Sequence, residues 1–125
     1  MDETKPRLFV SIPMRGLDEF EVRAAQAAVK NYMDGVYETE FDLIDTYDVD
    51  EKPEGYVHDC YYLGESIKKL ATADLCVFHP EWKNASGCLI EHMVCALYDI
   101  PYVELHSEQQ DYIDEVDDDE EYEDE

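Results

Sequence analysis

Short apolar runs alternate along the chain with longer stretches in which apolar residues recur every three or four positions. Runs of the first kind, typical of buried strands, cover residues 8–12, 74–79 and 101–105, and a weaker run with two aspartates covers residues 41–47. The second kind predicts one-sided helices. The first predicted helix begins at Leu17 or Asp18 and continues to about residue 33, where Asp34 and Gly35 end the pattern. The second covers residues 61–72 and the third covers residues 86–98.

The order of these elements is strand, helix, strand, loop, helix, strand, helix, strand. Strands separated by helix-length segments favour parallel pairing with right-handed crossovers. We therefore predict an α/β fold, a small doubly wound sheet of four to five parallel strands of the Rossmann-like or flavodoxin-like type, flanked by helices. Residues 48–59 contain Pro53, Gly55 and several charges. We predict that this segment forms a surface loop, which lies over the ligand-binding edge of the sheet.

Charge divides the chain of 125 residues into a core and a tail. The formal net charge is −24, and residues 108–125 hold twelve of the carboxylates and no Lys or Arg. Few apolar side chains lie among them, so we predict disorder for this segment. The proposed division is an N-terminal extension (1–6), one domain (7–106) and an acidic tail (107–125). The tail is either a solvated end without a partner, or a mimic of nucleic-acid charge or a tether that engages a basic partner surface.

The remaining residues are still acidic, since half of the net charge lies outside residues 108–125. This argues against phosphate attraction as the main source of affinity for nucleic acid, so we expect no direct nucleic-acid binding, and any phosphate-bearing ligand must be small and locally bound. The four cysteines form no C-x-x-C pair, which indicates reduced thiols, and the histidines lack metal-ligand spacing. No apolar run approaches the roughly 20 residues of a membrane span. We expect a cytoplasmic protein without a metal or cofactor.

Candidate chemistry concentrates between residues 73 and 91. The pattern predicts a buried strand, a loop with Trp82, and a helix that begins near Ser86 and Gly87. Glu91 follows Gly87 by one helical turn, so its side chain can point back toward the loop. Open α/β sheets bind their ligands at this end of a strand. Ser86 is a candidate both for the helix N-cap and for a ligand contact.

Several motifs together resemble the nucleoside 2-deoxyribosyltransferase-like superfamily, in a branch of small proteins from bacteriophages and their bacterial hosts. The resemblance covers roughly residues 7–105. It rests on Ser11-Ile12-Pro13-Met14-Arg15-Gly16, Tyr62-Leu63-Gly64-Glu65-Ser66, Ala73-Asp74-Leu75, Trp82 and Ser86-Gly87-Cys88-x-x-Glu91. It implies that Glu91 is the nucleophile at the anomeric carbon of a nucleoside or nucleotide. A covalent glycosyl-enzyme would follow, resolved by water in N-glycosidases or by a second base in transferases.

The resemblance also implies a substrate-binding surface and a homodimer. The loop after the first strand and the start of the last helix would bind a 5′-phosphate through backbone N–H groups and a forked cation. Trp82 is a candidate for lining the pocket. The proposed substrate contacts are Ser11, Pro13, Met14, Arg15, Gly16, Trp82, Ser86 and Gly87. A phage-encoded member would act in the host cytoplasm.

This chain departs from the pattern of the superfamily at three positions. Ser11 replaces a glycine, Leu8 aligns with a tyrosine, and the aspartate of the middle helix falls near Ser66. Without that acid, Asp45 is the candidate to protonate the leaving base. We therefore keep three hypotheses: an N-glycosidase or deoxyribosyltransferase, a nucleotide-binding module without turnover, and an interaction protein that works through its acidic tail.

Overall fold

The computed structural model describes residues 5–108 and confirms the predicted α/β fold. Four parallel strands lie in the order β2-β1-β3-β4. The elements are β1 (Arg7–Ser11), α1 (Glu19–Tyr37), β2 (Asp42–Leu43), α2 (His58–Leu70), β3 (Leu75–Phe78), a 3-10 turn (Trp82–Asn84), α3 (Ser86–Tyr98) and β4 (Tyr102–Glu104). The predictions for the acidic tail and the N-terminal extension fall mostly outside the described residues.

Alternate residues of β1 and β3 supply the two halves of the core. On one face, Leu8, Val10 and Val77 pack with Val22 and Val29 of α1. On the other face, a second cluster joins the sheet to the 3-10 turn, α2 and α3; its buried members are Phe9, Ile44, Leu70, Cys76, Phe78, Trp82, Cys88 and Cys95. Because both faces of the central strands are covered, residues 8–10 of β1 and all of β3 are apolar, as parallel strands usually are.

Helix α1 begins as predicted and ends later. Asp18 and Glu21 form a capping box, in which each side chain accepts a hydrogen bond from the backbone of the other residue. The predicted end at Asp34 and Gly35 was wrong, because the helix continues to Tyr37 and its left-handed cap is Glu38 at φ 53°. The Asp34 carboxylate is an acceptor for the Phe41 N–H at 2.9 Å, which fixes the connection to β2.

The second strand and the helix that follows it also differ from the prediction. Strand β2 has two residues rather than the predicted seven. The Asp45 carboxylate accepts the Tyr47 N–H at 2.9 Å, a local turn that draws the chain out of the sheet. Helix α2 begins at His58 and ends at Leu70, rather than spanning 61–72. The bounds of the other strands lie within one residue of those predicted, and α3 has the predicted bounds.

The chain order creates a switch point between β1 and β3. From β1 the chain passes through α1 to β2 on one side, and from β3 it passes through α3 to β4 on the other. The carboxyl ends of β1 and β3 stay adjacent, since the His79 N–H donates to the Ser11 carbonyl at 3.0 Å. A crevice outside the sheet opens at such a point, where doubly wound proteins bind their ligands.

Candidate functional site

A buried carboxylate lies at the carboxyl edge of this switch point. Glu91 of α3 is only 7% exposed. The Ser11 hydroxyl at the end of β1 donates to Oε1 at 2.7 Å, and the Ser66 hydroxyl of α2 donates to Oε2 at 2.8 Å. Three elements that are distant in sequence therefore meet at one carboxyl group. Each oxygen keeps lone pairs beyond the hydrogen bond that it accepts.

The periodicity of each element turns these side chains toward one another. Ser11 lies on the same face of β1 as Phe9, two residues earlier, and that face packs against α2 and α3. Glu91 lies three and four residues from Cys88 and Cys95, on the buried stripe of α3. Ser66 occupies the equivalent place on α2, four residues before the buried Leu70.

The surroundings of Glu91 oppose its ionisation. Burial raises the pKa of the Glu91 carboxyl above its ordinary value, and the hydrogen bonds from Ser11 and Ser66 lower that pKa in part. The Cys88 thiol lies beside Ser11, and burial raises the pKa of this thiol to about 11. The site therefore holds a poorly hydrated carboxyl group in a fixed orientation, next to a protonated thiol. Such a carboxylate is suited to attack an electron-poor carbon when ionised.

The loop after β1 presents Arg15 at the tip of a turn. The Leu17 N–H donates to the Met14 carbonyl at 3.0 Å, and Gly16 has a φ of +85°, which favours glycine. Pro13 is half-buried, whereas Met14, Arg15 and Gly16 are exposed. Within residues 5–108, Arg15 makes no ion pair with any carboxylate. A guanidinium at such a position can bind an anion through its fork of N–H groups.

The start of α3 lies at the same edge with its N–H groups uncapped. The N-cap is Ala85, which has no side-chain cap, so the expected cap role of Ser86 is wrong and Ser86 is the first helical residue. Gly87 faces α2, where an added Cβ would lie 4.0 Å from a methyl carbon of Leu63. Uncapped N–H groups and the helix dipole favour an anion at this position.

Two predicted site residues make their contacts with residues other than Glu91. Trp82 is 7% exposed and stacks on His92, with ring centroids 4.1 Å apart and planes 7° from parallel. His92 Nε2 lies 2.6 Å from a Glu104 carboxylate oxygen, so Trp82 belongs to a packed cluster. Asp45 binds Arg23 of α1 at 3.2 Å, on the other face of the sheet from α3. Asp45 and Glu91 share no hydrogen bond.

The sequence does not reveal Ser66 as a partner of Glu91, and it does not show that the rings around the start of α2, among them the expected anchors Tyr61 and Tyr62, contact one another. The signal for Ser66 was a hydroxyl within the otherwise apolar stripe of a predicted helix. Tyr56, His58, Tyr61 and Tyr62 form what we term the tyrosine cluster, with neighbouring ring centroids 4.9 to 5.3 Å apart. The Tyr62 hydroxyl accepts the Lys52 N–H at 2.9 Å and so anchors the loop before α2.

Wider properties of the chain were also compared with known proteins. Among residues 5–108, no group of three or more His, Cys, Asp or Glu is placed to hold a metal ion, and no helix is long and apolar enough to cross a membrane. Searches against protein-family models, curated proteins and solved structures gave no match.

Proposed function

We propose that the protein cleaves or transfers the N-glycosidic bond of a nucleoside or nucleotide, with Glu91 as the nucleophile. The observation that carries the proposal is the buried Glu91 carboxyl, held through both oxygens at the switch point of the sheet. Ligands of doubly wound folds bind in this crevice. The motif resemblance to the nucleoside 2-deoxyribosyltransferase-like superfamily points to the same residue.

In the proposed reaction, a Glu91 oxygen attacks the anomeric carbon while the bond from that carbon to the base breaks. The electron pair of the broken bond leaves with the base, and the sugar remains as an ester of Glu91. Water or a second base then attacks the same carbon, loses a proton to solvent or to the departed base, and releases the carboxylate. Ser11 and Ser66 keep the carboxylate oriented through both half-reactions. A 5′-phosphate would bind Arg15 and the first N–H groups of α3.

Base release from a panel of nucleosides and nucleoside monophosphates tests the proposal. The wild type should release free base, and Glu91→Gln should not. Glu40→Gln is the matched control, because Glu40 is exposed and pairs with Lys5 at 3.3 Å instead of contacting Glu91. Mass spectrometry after an acid quench should find a glycosyl group on the Glu91 peptide. No release from any member of the panel, or equal release by Glu91→Gln, would contradict the proposal.

A second candidate function is nucleotide binding without turnover. The observation that favours it is Ser66, because the side chain that α2 presents to Glu91 is a hydroxyl rather than a carboxylic acid. A neutral base leaves poorly without a proton donor, and general acid catalysis contributes typically ~10²–10⁴-fold in rate. A bound ligand at 100 times its Kd would stabilise the fold by about 2.7 kcal/mol and would be recovered intact.

We further propose a homodimer that covers the outer face of α3. This face is apolar and exposed over several turns, with Leu89 at 44%, Met93 at 57% and Leu97 at 68% of their full exposure. Contiguous exposed apolar residues mark interaction surfaces. Sedimentation should give a dimer for the wild type and a monomer for Met93→Glu.

The free thiols of all four cysteines are compatible with the proposed cytoplasmic location.

A further inference from the structure

The tyrosine cluster lies beside the Glu91 site rather than on a remote surface. Tyr62 is one helical turn before Ser66 on the same side of α2, and such positions have Cβ atoms about 6 Å apart. The N-terminus of α2 points to the carboxyl edge of the parallel sheet, where β1 also ends. A sugar carbon in contact with Glu91 would therefore have its attached ring within reach of this cluster.

The rings of the cluster pack against one another although they are partly exposed to solvent. Tyr61 contacts Tyr56 at 5.3 Å and Tyr62 at 5.1 Å between centroids, the second pair edge to face at 88°. Tyr56 is 56% exposed, although it packs against Tyr61. Ring faces carry negative charge density and attract cations, most strongly when several rings meet.

Carboxylates surround the same rings. The loop before α2 and the first turn of α2 carry one lysine, Lys52, against five acids: Asp48, Asp50, Glu51, Glu54 and Asp59. Desolvation raises the pKa of the Tyr61 hydroxyl, the carboxylates of Glu65 and Asp50 raise it further, and the Lys68 ammonium group lowers it. Two carboxylates therefore act on this ring against one ammonium group. The surface beside Glu91 is aromatic and anionic together, which favours a flat cation over a neutral ring.

On the basis of the proposed function, we propose that the substrates are N-glycosides whose leaving group is a positively charged planar ring. A ring attached through a quaternised nitrogen, as in N-ribosyl pyridinium compounds, or an N7-alkylated purine has this chemistry. The cluster binds the cationic ring through its aromatic faces and neighbouring carboxylates. Glu91 lies on the sugar side of the scissile bond.

A cationic leaving group is also consistent with a hydroxyl, rather than a carboxylic acid, at Ser66, because such a group needs no proton donor. A Glu91 oxygen forms a bond to the anomeric carbon, and the carbon–nitrogen bond breaks with its electron pair on nitrogen. That pair neutralises the positive ring, which departs without receiving a proton. Water then attacks the anomeric carbon, loses its proton to solvent, and returns Glu91 as a carboxylate. A serine hydroxyl suffices for this reaction, because it only orients the nucleophile.

Two matched pairs of nucleotides test the inference. Nicotinamide mononucleotide carries a cationic ring and its dihydro form a neutral one, and 7-methylguanosine 5′-monophosphate is the cationic counterpart of guanosine 5′-monophosphate. We expect the cationic member of at least one pair to bind at least tenfold more tightly by calorimetry and to be cleaved faster relative to its spontaneous hydrolysis. The two pairs distinguish a pyridinium from an alkylated purine.

Substitutions in the cluster should act on the cationic compounds alone. Tyr56→Leu and Tyr61→Leu should each weaken binding of the cationic member by about 2- to 30-fold, the range of cation–π contacts, and leave the neutral member unchanged. Tyr37→Leu is the control, since Tyr37 is 47% exposed at the far end of α1. Far-ultraviolet circular dichroism verifies that each variant is folded.

The outcomes separate this inference from the proposed function. Equal binding and equal normalised cleavage of both members of both pairs would overturn the inference, while Glu91-dependent release would still support the proposed function. Selective binding of the cationic members without any cleavage would contradict the proposed function and support the recognition of a cationic ring. Equal losses for charged and neutral members in Tyr56→Leu and Tyr61→Leu would also overturn the inference.

Discussion

Removal of the Ser66 hydroxyl should destabilise the protein in proportion to the ionisation of Glu91. Ser66→Ala deletes a donor 2.8 Å from Oε2 and leaves Ser11 on the other oxygen. Hydrogen bonds to charged groups contribute about 1.5–3 kcal/mol, and those between neutral groups about 1 kcal/mol. Because the hydrogen bond stabilises the ionised carboxylate more than the neutral carboxyl group, its loss should raise the pKa of Glu91 further.

The sign of the pH dependence follows from the raised pKa of Glu91. A carboxyl whose pKa is higher in the folded state than in the unfolded state favours folding below the unfolded pKa, and this contribution is lost as pH rises through the folded pKa. Ser66→Ala raises the pKa of Glu91 in the folded state further. At neutral pH, ionisation of Glu91 therefore costs the variant more folding free energy than it costs the wild type. The cost of the substitution should therefore be about 1 kcal/mol near pH 5, where the carboxyl is neutral, and should rise toward about 1.5–3 kcal/mol as the pH is raised to 8 and Glu91 ionises.

Urea unfolding of a double-mutant cycle measures this effect. Ser66→Ala is made in the wild type and in Glu91→Gln, and the gain in helix propensity from alanine cancels between the two backgrounds. In Glu91→Gln the cost should fall to about 1 kcal/mol and lose its pH dependence. A cost that is the same in both backgrounds and at both pH values would refute the assignment of Ser66 as a donor to an ionisable Glu91.

Three further predictions concern the scaffold around the site. Asp18→Ala should lower the free energy of unfolding by about 0.5–2 kcal/mol through loss of the α1 capping box, measured by urea unfolding; no change would contradict the cap. Trp82→Ala should cost about 3–5 kcal/mol by the same measurement, and a cost below about 1 kcal/mol would mean that Trp82 is not packed on His92. A thiol reagent should label Cys60 rapidly in the native protein and the other three cysteines only after denaturation, because those three are buried. Rapid labelling of two or more thiols would contradict this burial.

The parts of the fold that the sequence could predict are those with strong periodicity. The apolar runs of β1 and β3 and the stripe of α3 predict their elements to within a residue, because burial alone determines these patterns. The ends of α1 and β2 depend on single polar contacts instead. Asp34 accepts the Phe41 N–H, and Asp45 closes a turn with Tyr47, and neither contact is visible in hydrophobic spacing.

The candidate site also has a part that local sequence patterns indicate and a part that depends on individual tertiary contacts. Glu91 and Ser11 could be singled out, since each lies beside a strand end or in a motif of recognisable spacing. The hydrogen bonds from Ser11 and Ser66 to Glu91 join residues up to 80 positions apart. They therefore depend on how β1, α2 and α3 pack together. Trp82 illustrates the opposite case. An aromatic residue near a strand end is equally compatible with a ligand contact and with a packed core.

The two helices that line the site begin differently from the helix that does not. Asp18 caps α1, whereas Val57 and Ala85, the N-caps of α2 and α3, provide no side-chain acceptor. Native-state hydrogen exchange should therefore be fastest in the first turns of α2 and α3, where local opening costs little free energy. A ligand that accepts hydrogen bonds from these amides would slow their exchange and leave α1 unchanged. Part of its binding energy would thus order the ends of the helices that form its own site.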